Sequence, residues 1–133
     1  NRKKAIQFIQ ENGSAAFLKT AIPGLFSEAF NKNHTTIVQA CIEKAKPFTV
    51  EALVQNYEAM IARPDRVHIL KNATVPVLFI IGLLDQAVPS TQSLAQTYLP
   101  PVSYVHILPE VAHMGMLEAS DLCNNYLLAF LLA

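Results

Sequence analysis

Two residues in this chain carry chemistry by type and placement. Asp85 closes the stretch Val75-Pro-Val-Leu-Phe-Ile-Ile-Gly-Leu-Leu-Asp85, and His113 stands in Val111-Ala-His-Met-Gly-Met-Leu-Glu118. Each lies just past a run of strand-forming residues, Val75–Gly82 and Val102–Leu108. Loops beyond the carboxyl ends of strands in an open parallel sheet are where ligands and catalytic groups collect. An acid and then a histidine, delivered there in that order, are the last two members of a nucleophile–acid–base triad. The acid orients the imidazole, and the imidazole moves the proton. Either residue alone has a structural reading, as a turn aspartate or a packed histidine.

The elements that must place them divide at residues 71–74. Residues 1–70 read as helical. Ala5, Ile6 and Ile9 mark a first amphipathic segment that stops near Asn12-Gly13, and residues 14–20 give a second. Ile22-Pro-Gly24 is a turn signal. Val38, Cys41, Ile42 and Ala45 recur at helical spacing and end before Pro47. Val50, Leu53, Val54, Tyr57 and Ile61 form the clearest stripe, with Thr49 as N-cap and Glu51 in the first turn. Asp65 is expected to cap a short helix toward Leu70. From Thr74 the pattern becomes strand, helix (90–98), strand and helix (119–132), which predicts a crossover between two parallel strands. The expected fold class is therefore α/β, with domains at 1–73 and 74–133.

The residues Gly82-Leu-Leu-Asp85-Gln-Ala-Val-Pro89 and Val111-Ala-His113-Met-Gly-Met-Leu-Glu118 closely resemble the acid and histidine motifs of the α/β-hydrolase fold family, and the likeness extends over residues 74–132. The resemblance implies that residues 1–73 are a helical cap inserted before the last two strands. The chain would then be a partial α/β-hydrolase: a cap followed by a β-α-β-α unit with two parallel strands. It implies catalytic roles for Asp85 and His113, in the order nucleophile, acid, histidine that the family uses. Met114, next to the histidine, would line the acyl pocket. The substrate would be a small ester, lactone or related molecule.

The nucleophile is the departure from that family. Its elbow needs G-x-S-x-G, because small residues must flank the strained turn. The glycines are Gly13, Gly24, Gly82 and Gly115, and no two are four apart. Neither Cys41 nor Cys123 falls at a strand-to-helix turn. The isolated chain is therefore expected to be inactive, a carboxyl-terminal fragment whose nucleophile lies upstream. A serine there implies esterase chemistry, and an aspartate implies dehalogenase or epoxide hydrolase chemistry. A non-catalytic interaction domain using the same fold is the rival expectation. The chain begins Asn1-Arg-Lys-Lys without an initiator Met, which fits a piece of something longer.

Composition narrows the partners. Ten basic residues balance ten acidic ones, so no basic face exists to neutralise nucleic-acid phosphates. No apolar run reaches the roughly 18–20 residues that span a bilayer. Two cysteines are too few for a disulfide scaffold, so a cytoplasmic setting is the expectation. His34 and His68 sit in polar surroundings without metal-ligand spacing, and neither a metal nor a cofactor is expected. His106 shares a strand face with Tyr104 and Leu108, which favours packing. The chain is 52% hydrophobic and 15% charged, more apolar than an average soluble domain. Two parallel strands also leave an unpaired edge. The isolated chain is thus expected to self-associate, as a dimer in the simplest case. Light scattering at micromolar concentration checks this; a well-behaved monomer would contradict it.

Overall fold

The computed structural model describes residues 2–133; Asn1, first residue of the expected cap, lies outside them. The chain forms two compact units. The first comprises residues 2–24 and Asn31–Pro64. The second comprises Leu25–Phe30 and Asp65–Ala133.

In the first unit, α1 (Arg2–Asn12) and α2 (Ser14–Ala21) are joined by Gly13 alone. Gly13 has φ +85°, a backbone conformation that costs glycine little and other residues more. Its N–H donates to Ile9 O at 2.9 Å and closes α1. A 3-10 turn (Pro23–Leu25) and α3 (Glu28–Asn33) pass through the second unit's Leu25–Phe30 segment, and α4 (Thr35–Ala45) and α5 (Val50–Ala62) complete the first unit. Thr49 caps α5 as its type predicts, accepting from the Ala52 N–H at 3.2 Å. Ile9 is fully buried, and Leu18, Ala45 and Leu53 close around it. The α5 stripe supplies Val50, Leu53, Val54 and Tyr57 to this core, whereas Ile61 is exposed. Tyr57 meets Phe17 edge-on at 5.6 Å.

In the second unit, α6 (Val67–Lys71) leads to β1 (Val77–Gly82), α7 (Ser90–Gln96), β2 (Ser103–Leu108), α8 (Gly115–Glu118) and α9 (Ser120–Leu131). Asp65 fastens the start of α6 through the Val67 N–H at 2.7 Å. The two strands pair in parallel, in register from Val77↔Ser103 to Gly82↔Leu108. The ladder begins at Val77, whose N–H donates to Val102 O. Pro76, just before it, has no N–H to offer, so the strand starts later than the apolar run.

Strand alternation then sorts the faces. Leu108 is 3% exposed and packs with Val111 and Cys123, with Ile80 and Tyr126 against them. On the same side His106 stacks on Tyr126 at 3.7 Å, and Tyr104 meets Phe130 edge-on at 5.3 Å. His106 is thus a packing residue. Val105 and Ile107, on the opposite face of β2, are exposed. Two short helices, α3 and α8, go beyond the sequence expectation; at six and four residues neither is long enough to show a periodic stripe. Among the described residues no helix is long and apolar enough to cross a membrane.

Replacing Ile9 by Ala is expected to cost the first unit about 2–5 kcal/mol, read as a lower urea midpoint with unchanged slope. Burial pushes the Cys123 thiol up, because a thiolate there would lose its hydration. The unfolded chain would ionise Cys123 through the ordinary thiol range while the folded chain keeps it neutral. Stability from this group is therefore complete below that range and declines as pH rises through it. Iodoacetamide at mildly alkaline pH should label Cys41 well before Cys123, which mass spectrometry of the peptides resolves.

Candidate active site

The chain leaves β1 at Gly82 and turns sharply. Leu83 N–H continues the ladder to Leu108 O at 3.0 Å, and Leu84 N–H reaches Val111 O at 3.0 Å. These bonds lay the loop after β2 across the end of β1. The approach is close enough that a β-carbon at position 82 would stand 2.2 Å from Ala112 O and 2.5 Å from Val111 O. Glycine is required here for lack of room.

Asp85 follows in this turn. Its Oδ1 accepts from the N–H groups of Ala87 and Val88 at 2.8 and 2.9 Å. Such an Asx arrangement fixes the carboxylate through its own loop. Oδ2 is then left to face His113 Nδ1, at 2.8 Å. The His113 side chain is 38% exposed and that of Asp85 13%, so the acid is the more sheltered partner. An ionised Asp85 selects the imidazole tautomer with its proton on Nδ1. Nε2 then keeps its lone pair, as a general base needs.

The histidine loop is tied from the other side as well. His113 N–H donates to Leu25 O at 3.0 Å, and Ala112 N–H donates to Glu118 Oε1 at 3.1 Å. Glu118 Oε2 accepts from Ser27 N–H at 2.9 Å. A cavity of about 370 Å³ opens beside the pair, its wall including Ile80, Ile81, Val88, Met116 and Leu127 with Asp85 and His113. Its size and largely apolar lining are ordinary for a small-molecule site. Met116 is in that wall and Met114 is not. Met114 instead heads α8, where its carbonyl accepts from Leu117 and Glu118 N–H at 2.8 and 2.9 Å.

Asp85 and His113, distant in sequence, thus come together, while His34 and His68 are exposed elsewhere. The bonds to Leu25 and Ser27 had no sequence signal, since both partners are backbone groups. Glu118 carried a weak one, an acid five residues after a histidine.

No protein-family model matches the sequence, and no curated protein does. Solved structures do. The chain is similar to a thermophilic esterase from Thermogutta terrifontis at TM-score 0.85 and 21% identity, covering 98% of this chain and 48% of that one. It is similar to the enol-lactonase from Burkholderia xenovorans LB400 at TM-score 0.88 and 18% identity, covering 98% and 49%. A third likeness is to MGS-M2, an α/β-hydrolase enzyme from a Medee basin deep-sea metagenome library, at TM-score 0.85 and 15% identity, covering 99% and 50%. The chain therefore folds as part of an α/β-hydrolase and spans about half the length of the structures it matches.

Gly82→Ala is expected to force the Val111–Ala112 backbone aside, at a cost of about 1–3 kcal/mol. The Nδ1 proton resonance shared by His113 and Asp85 should weaken or vanish in the NMR spectrum of this variant, while the first unit's resonances stay in place.

Proposed function

We propose that this chain supplies the acid and the histidine of an α/β-fold hydrolase acting on a small ester, lactone or related acyl substrate, with the nucleophile on a part of the protein outside this sequence. The observation that carries the reading is the 2.8 Å contact of His113 Nδ1 with an Asp85 carboxylate whose other oxygen is anchored by two backbone N–H groups. That arrangement has little purpose for packing, since the histidine side chain is more than a third exposed. It suits a base that must gain and lose a proton without turning.

In the proposed cycle, Nε2 of His113 takes the proton of the attacking group as its bond to the substrate carbonyl forms. The imidazolium is held by Asp85, and its proton then passes to the departing alkoxide as the carbonyl re-forms. Water repeats the sequence to release the acid. The acyl portion would rest on the apolar wall that includes Ile80, Val88 and Met116. Residues 1–73 serve as the cap in this reading. The edge of β1 away from β2 takes a strand of the same polypeptide. Without that strand, the chain would self-associate through the same edge.

In the full-length protein, a fluorophosphonate probe is expected to label one serine, and none of the serines within this sequence. Failure to label any serine overturns the serine version. His113→Ala and Asp85→Asn should each lower kcat for p-nitrophenyl acetate by about a thousandfold or more, with circular dichroism unchanged.

A further inference from the structure

Asp85 fixes the ring of His113 but not the backbone that carries it, and that task falls to a third side chain. We propose that Glu118 is a positioning residue for His113, holding the imidazole's loop against the segment at Leu25–Ser27. The inference rests on the hydrolase reading for its catalytic consequence, and on hydrogen-bond geometry for the positioning itself.

The residues after His113 make a single helical turn, in which Leu117 and Glu118 N–H both return to Met114 O. This turn folds the chain back so that the Glu118 carboxylate comes to the residue immediately before the histidine. Its Oε1 accepts from Ala112 N–H at 3.1 Å and its Oε2 from Ser27 N–H at 2.9 Å. His113 N–H donates to Leu25 O at 3.0 Å. Two successive backbone N–H groups, those of Ala112 and His113, are thereby held to one short segment, by one bridge and one direct bond.

The chemistry of the bridge identifies what position 118 needs. Both partners are backbone N–H donors, so the side chain between them must present two acceptors. A carboxylate does so. A carboxamide of the same shape offers one acceptor and turns an N–H against the second donor. Bonds to a charged acceptor are also stronger than neutral ones. Glu118 is half-buried, and Ala112 is buried, so a donor left unpaired there is not cheaply recovered by water.

The test uses the full-length protein labelled with 15N-histidine, comparing the wild type with Glu118→Gln and Glu118→Ala. The wild-type His113 ring is expected to show the tautomer protonated at Nδ1. In Glu118→Gln that signature should shift toward a mixture, the Ala112 or Ser27 amide should exchange about tenfold faster, and kcat for p-nitrophenyl acetate should fall about tenfold with KM within twofold. Glu118→Ala should go further in each. Unchanged ring signals and amide exchange in both variants overturn the proposal. Global unfolding of both also overturns it, in favour of a general stabilising role. A protein that turns over no ester, yet whose His113 ring responds to Glu118→Gln, defeats the hydrolase reading and leaves the positioning role standing.

Discussion

Gly82 has no side chain, and the backbone of the loop after β2 occupies the space where one would stand. Much of the second unit's arrangement follows from that approach. Because the loop lies across the end of β1, Leu84 N–H can reach Val111 O, and the turn that carries Asp85 is brought under the residue that follows Ala112. The carboxylate is then divided between two duties, one oxygen to its own loop and one to the imidazole. Neither residue needs to search for the other once the strands are in register. The pairing of Gly82 with Leu108 sets both loops at once.

Much of this was legible in the chain. The change from helical spacing to two apolar runs located β1 and β2, and the residue types just beyond them located Asp85 and His113. Thr49 and Asp65 announced the helix starts they fasten, and alternation put His106 on the packed face with Tyr104 and Leu108. The signals were local and periodic, which is what a sequence displays best. The contacts that were illegible are non-local or carried by backbone groups. Leu25 O and Ser27 N–H leave no trace in residue type, and α3 and α8 are too short for a stripe. Met114 shows the limit of adjacency: one residue from the histidine, it is turned to head α8, and Met116 takes the place in the wall.

The two units also differ in how complete their cores are. Around Ile9, helices α1, α2, α4 and α5 form a packed cluster with Leu18, Ala45 and Leu53 buried in it. The sheet of the second unit is a ladder of two strands with an apolar face at Val105 and Ile107 open to solvent. Parallel ladders are normally found covered on both faces and with further strands beside them. The likeness to structures twice as long accounts for this imbalance. The chain has the fold of about half of those structures, and among the described residues its sheet has two strands.

The bridge between Ser27 and Glu118 spans 91 residues, and this has a consequence for how the protein is made. At about 5–20 residues per second, several seconds separate the synthesis of these two partners. Throughout that interval the Ser27 N–H lacks its Glu118 partner, whereas the residues of the Ile9 core, the last of them Tyr57, are all made before it ends. The anchor that Glu118 gives the His113 loop is thus available only late in synthesis, after every residue of the Ile9 core has been made.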